Sequence, residues 1–179
     1  MSRFVTLSLI CVSFAVAAYP NHASAEAAPG IHVDVDEVAS TRTVVPVDGI
    51  TSSGQPDEAT FRVFADAGYS AVIDMRGPEE DRGLDNEQAV IEGLGMDYIL
   101  MPLTSREQIS FDTARELDEV LQGIDGPVLV HCASGNRVGA VLALRHSLSG
   151  ASNEESIAHG KNAGLTRLED VVLERLGEN

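Results

Sequence analysis

The chain has 179 residues, 28 acidic against 12 basic side chains, a formal charge of −16 and 44% hydrophobic residues. That length supports one domain with one sizeable core. A body this acidic repels nucleic acid and anionic lipid, which excludes phosphate-backbone binding as its role.

The first segment runs from Arg3 through an apolar stretch, Phe4 to Ala18, to Ala23-Ser24-Ala25. These are the n, h and c regions of a secretory signal peptide, with cleavage expected after Ala25 and a secreted or periplasmic product. About 15 apolar residues fall short of the roughly 20 a spanning helix needs, so no stable membrane insertion is expected after cleavage. Cys11 leaves with this segment and the charge becomes −17, because Arg3 is its single charged residue. Cys132 is then the one thiol in a compartment that favours disulfides, which makes it a candidate reactive thiol.

Residues 26–41 carry Ala, Asp, Glu and Val with a Pro-Gly pair and no sustained period, and read as a linker or disordered N-terminus. Asp34, Asp36 and Glu37 within it read as a solvated charged face. From residue 42 to the end the pattern is that of a domain. Thr43–Val47 and Ile50–Ser53 read as short strands, and Pro56 as the start of a helix with Ala59, Val63, Phe64 and Ala67 on its inner face. Tyr69–Met75 is a predicted strand ended by Gly77-Pro78, and the acidic stretch Glu79–Asp85 a loop into a helix through Gln88, Val90, Ile91 and Leu94. Met96–Met101 is the next strand and Pro102–Ile109 a loop, after which Ser110 caps a helix. Val128–Val130 is a continuous apolar run, as a central strand covered on both faces requires. A helix to Ser149, another from near Ser152 and a last one opened by a Thr166-x-x-Glu169 capping box complete the chain. Strands separated by helices of this length predict an α/β fold, a mostly parallel central sheet flanked by helices. Ligands in such sheets bind beyond the carboxyl ends of the strands, where Cys132 falls.

The segment from Gly126 to Gly139 carries the chemistry. Between Cys132 and Arg137 lie Ala133, Ser134, Gly135 and Asn136, all small or turn-forming. Small residues let successive amides curl into an anion-binding nest, and Gly135 supplies a positive φ. The helix that follows adds its positive end, and Arg137 a planar fork that matches two oxygens of an oxyanion. Together these form a nucleophile with its own oxyanion clamp.

Val130-His131-Cys132 with Gly135 and Arg137, the upstream Ser53-Gly54-Gln55-Pro56, and Val72-Ile73-Asp74-Met75-Arg76 resemble the beta-lactamase-hydrolase-like, phosphatase-like domain family. The resemblance covers Thr43 to Arg167. It implies a cysteine-phosphatase-like fold related to the dual-specificity and tyrosine phosphatases, with Cys132 as nucleophile and Arg137 as oxyanion ligand.

Two features depart from that superfamily's pattern. It places five residues between cysteine and arginine, whereas here there are four, a spacing that resembles rhodanese sulfurtransferases. The superfamily's general-acid aspartate precedes the cysteine by about 30 residues, and the corresponding loop, Met101–Ile109, holds only Glu107. A missing acid costs roughly 10²–10⁴ in rate and restricts a phosphatase to good leaving groups. Glu107 is the acid candidate and Asp112 a weaker one, since acids are favoured in a first helical turn in any case.

His131 is expected to be a core histidine that supports the loop, with its side chain opposite to that of Cys132. Asp74 and Arg76, at another strand end on the same edge, are expected to orient the loop, bind substrate or form a structural ion pair. His32, His146 and His159 have no ligand spacing, so neither a metal nor another cofactor is expected. The leading expectation is an exported, cysteine-dependent enzyme that hydrolyses a phosphomonoester, phosphotyrosine among the candidates, through a phosphocysteine. The alternatives are a sulfurtransferase with a persulfide on Cys132, which needs a sulfur-donor substrate, and a non-catalytic anion-binding domain.

Overall fold

A computed structural model describes residues 30–178 apart from Asp48 and Arg82, so the signal-peptide reading of residues 1–25 lies outside the described residues. Five parallel strands form one sheet: β1 (Ile31–Val33), β2 (Ile50–Ser53), β3 (Ala71–Asp74), β4 (Asp97–Leu100) and β5 (Val128–His131), in the order β1-β2-β5-β3-β4. β5 sits at the centre because Val128–Val130 are apolar on both faces and all buried. Its neighbours pair in register, Ser53 and Asp74 both facing His131. Three strand ends therefore converge where the chain leaves β5.

Helices cover both faces, as the alternation of strand and helix requires. On one face α1 (Val35–Thr41), α2 (Glu58–Asp66) and α3 (Glu87–Gly93) bury Val38, Phe61, Phe64 and Ile91 against Val72 and Leu129. On the other, α4 (Phe111–Gln122), α5 (Asn136–Leu148), α6 (Asn153–Asn162) and α7 (Glu169–Gly177) enclose the larger core, which includes Ile73, Val130 and Cys132. α5 is buried almost all round, from Val138 to Leu144. No helix among the described residues is long and apolar enough to cross a membrane.

Several expected boundaries shift. Residues 31–41 are not a linker: β1 adds to the sheet edge beside β2, and Asp34 caps α1 by accepting from the amides of Asp36 and Glu37. A three-residue strand and a seven-residue helix with one buried side chain are too short to show a period. Thr43–Val47 forms no ladder and crosses to β2 as an irregular connection. α2 starts two residues after Pro56, since Asp57 accepts from the amide of Thr60 at 2.7 Å and so sets the first turn. The expected capping box of α7 does not form. Thr166 donates instead to Asn136 Oδ1 through its amide at 2.8 Å and its hydroxyl at 3.1 Å.

Candidate active site

β5 ends at His131, and the next four residues turn the chain into α5. Three backbone contacts hold this loop against the end of β2: Cys132 donates its amide to the Ser53 carbonyl at 3.5 Å, Gln55 donates its amide to the Ala133 carbonyl at 3.3 Å, and Gly54 bridges Ser134. Gly135 occupies the cap position of α5 with φ +78°. That conformation favours glycine, and a Cβ there would also lie 2.6 Å from the His32 ring, which would have to shift. With no side chain at the cap, no side-chain acceptor serves the first amides of α5. Those donors and the positive helix end are what an anion needs. The Asn136 side chain does not join them, because its Oδ1 accepts from Thr166 and Leu168 and ties the loop to the start of α7.

Cys132 follows the last residue of β5 and is fully buried, at the floor of the loop. A thiol so placed is reached only by a group that fits inside the loop. Arg137 enters from the first turn of α5. Its Nη1 donates to the carbonyls of Leu103 (3.0 Å) and Met75 (3.3 Å), and Nη1 and Nη2 grip the two oxygens of Glu80 at 2.5 and 2.6 Å. That pairing raises the Arg137 pKa; burial opposes the rise and the neighbouring Cys132 sulfur adds to it. Glu80 is correspondingly held below the usual carboxylate range, chiefly by Arg137 and, against a smaller effect of burial, by the Gly77 amide. These contacts use the outer edge of the guanidinium, which leaves Nε and the second Nη2 hydrogen directed elsewhere. That remaining edge is a fork that can take two oxygens of an anion.

Beneath the loop lies a buried polar network. Asp74 accepts from the Arg76 amide (2.8 Å), from Arg76 Nε and Nη2 (2.9 Å each) and from the Tyr98 hydroxyl (2.9 Å). Arg76 Nη2 also donates to Glu87 at 2.6 Å, and Gln55 Nε2 reaches the other Glu87 oxygen at 2.9 Å. His131 Nε2 lies 3.4 Å from Glu87, with its ring edge-on to Phe61. Burial pushes the Asp74 carboxyl up, but the Arg76 hydrogen bonds and the neighbouring His131 outweigh it and hold the pKa down to about 2. Asp74, Glu87 and His131 offer three atoms close enough for a metal ion, but the Arg76 guanidinium already bonds both carboxylates and supplies the compensating charge. The chemistry of this group is that of a buttress, not a cation site.

A family model for the beta-lactamase hydrolase-like protein, phosphatase-like domain, matches residues 40–149. The chain belongs to this family. A beta-lactamase hydrolase-like protein of Xylella fastidiosa (strain Temecula1) is 32% identical over 120 residues, which cover 63% of this chain and 28% of that protein. The phosphatase-like domain thus accounts for a little over a quarter of the relative's length. Among solved structures, a proposed phosphatase from Neisseria meningitidis Z2491 superposes with a TM-score of 0.61 at 20% identity, over 72% of this chain and 94% of that one. A proposed phosphatase from Shewanella putrefaciens CN-32 gives 0.56 at 17% identity, over 82% and 98%. The fold of this phosphatase-like domain is therefore that of the cysteine phosphatases.

Within the phosphatase-like domain, the structure gathers Cys132, Arg137 and the loop residues at one point and separates the other candidates from them. His131 and Asp74 point into the interior, and Arg76 with them, all fully buried, with Arg76 bonded to both Asp74 and Glu87. Glu107 is fully exposed, in a 3-10 turn over Arg106–Gln108; a hydrogen bond from Ser105 is the main cause of its lowered pKa. An acid held ionised is a poor proton donor, and Glu107 does not line the groove beside Arg137. Asp112 pairs with Arg115 on the surface of α4. Sequence reasoning missed Glu80, Glu87 and Tyr98. Glu80 lay in a run read only as an acidic loop and Glu87 at a helix start, where acids are common; only a three-dimensional neighbour singles out either one.

Proposed function

We propose that this domain hydrolyses phosphomonoesters with Cys132 as nucleophile. The Cys132 thiolate attacks phosphorus, the ester oxygen leaves with the bond electrons, and water then cleaves the S–P bond to release phosphate and restore the thiolate. The first amides of α5 and the free edge of Arg137 hold the phosphoryl oxygens through both steps. One observation carries this reading: the Arg137 guanidinium is fixed from behind by Glu80, Met75 and Leu103, with its remaining edge available beside the Cys132 sulfur. Glu80 and Glu107 are both held below the usual carboxylate range and neither lines the groove beside Arg137, which favours leaving groups that depart as stable anions, aryl esters such as phosphotyrosine over alkyl esters. The Phe4–Ala25 segment supports export as the setting for this activity.

The four-residue spacing between Cys132 and Arg137 favours a second reading, sulfur transfer through a Cys132 persulfide, which needs no general acid. The test is the wild-type protein and Cys132→Ser assayed with 4-nitrophenyl phosphate and with thiosulfate. Phosphate release that falls about 10⁴-fold in the variant is the expected result. Persulfide on Cys132 with no phosphate release defeats hydrolysis.

A further inference from the structure

Beside the Cys132 loop lies an open groove of about 300 Å³, and the loop residue Arg137 forms part of its wall. Its charged lining is entirely cationic: Arg106, Arg137 and Arg167. Three of the 12 basic residues of a chain with 28 acidic ones thus meet in one groove. Their roles differ. Arg137 is compensated by Glu80, and Arg106 forms an exposed pair with Asp170. Arg167 is exposed and has no ion-pair or hydrogen-bond partner among the described residues. Leu103, Ile109 and Leu168 supply an apolar wall between the arginines. Such a groove fits a small apolar spacer with a negative group at its far end.

We infer that this groove receives the alcohol part of the substrate, and that Arg167 selects phosphomonoesters whose alcohol part carries a second anionic group. The inference rests on the phosphatase reading and names its substrate class. The phosphoryl group takes the free edge of Arg137, and Arg106 is paired with Asp170, so a second anionic group needs a separate charge, which Arg167 supplies. The second group adds to substrate affinity, and its effect weakens with salt because Arg167 is exposed.

The test uses the Cys132→Ser chain, which cannot turn over, titrated calorimetrically at low salt with phenyl phosphate and with 4-(carboxymethyl)phenyl phosphate. The carboxymethyl compound is expected to bind about threefold to tenfold tighter, with the ratio shrinking at high salt. Adding Arg167→Gln should bring the ratio below about twofold, and Arg167→Lys should largely restore it. Equal affinities, no binding of either compound, or a preference that survives Arg167→Gln overturns the proposal. Phosphate release by the wild-type chain is scored separately. Release with equal affinities defeats the groove alone, whereas a retained affinity ratio without release defeats hydrolysis and with it the substrate assignment, leaving only an anion preference at Arg167.

Discussion

Arg137 shows how one side chain can be both anchored and available. Three acceptors, Leu103, Met75 and Glu80, hold it from one side, and a planar fork still has donors on the other. Lysine has three donors on a point and no second edge, so it cannot keep these partners and clamp an anion together. Arg137→Lys is therefore expected to lower kcat/KM for an aryl phosphate by about 10²–10³-fold. A loss below about tenfold would show that the fork is not engaged in the reaction. The need for an arginine after a cysteine was legible in the sequence, because both residues lie on one short loop. Glu80 was not, since 57 residues separate it from Arg137 and nothing in an acidic run marks which carboxylate turns inward.

At the scale of elements, the position of the loop depends on how closely α5 and α6 approach. A Cβ on Gly139 would lie 2.2 Å from the Leu165 amide nitrogen, and one on Gly160 2.7 Å from the Gly139 carbonyl oxygen. The two helices cross at backbone contact, which fixes the first turn of α5 and with it Asn136 and Arg137. Gly139→Ala is expected to force the crossing apart, at a cost of about 3 kcal/mol, and to lower activity more than a stability loss alone accounts for. Chemical denaturation beside the specific activity of the folded fraction checks both; an unchanged midpoint would mean the crossing yields freely. The helices were readable from apolar spacing and from Ser110 as a cap, and the central strand from the run Val128–Val130. The failures have two causes. β1 and α1 are too short for a period, and Thr166, which matched a capping box, is claimed by Asn136 from 30 residues away. Local propensity loses wherever a distant partner offers a better hydrogen bond.

At the scale of the whole molecule, the half-buried His159 and the buried Asp74 tie stability to pH. His159 stacks on His146 between α5 and α6, ring centroids 4.4 Å apart, and burial first, then the charges of His146 and Arg145, push its pKa down to about 4. The unfolded chain takes up that proton near pH 6.5 and the folded chain does not, so stability falls as pH drops from about 6.5 to about 4. The loss is on the order of 2–3 kcal/mol. Asp74 adds a second window: its folded pKa of about 2 lies below the ordinary value, so its contribution is present above about pH 4 and disappears toward pH 2. That contribution is roughly 2 kcal/mol. Denaturation midpoints between pH 7.5 and 4.5 should decline for the wild type and flatten for His159→Gln; parallel slopes would place the acid sensitivity elsewhere. By itself the sequence determined the α/β architecture, the central strand and the small-residue loop from Cys132 to Arg137, because hydrophobic period and short-range turn chemistry are written in consecutive residues. Only the tertiary structure decided that Asp74, Arg76 and His131 form an inward-facing support and that Glu80 backs Arg137. It also decided that Glu107 stands apart from the groove where Arg137 and Arg167 meet. Each of those outcomes depends on which side chains from separate strand ends share a low-dielectric space, and no local pattern encodes that.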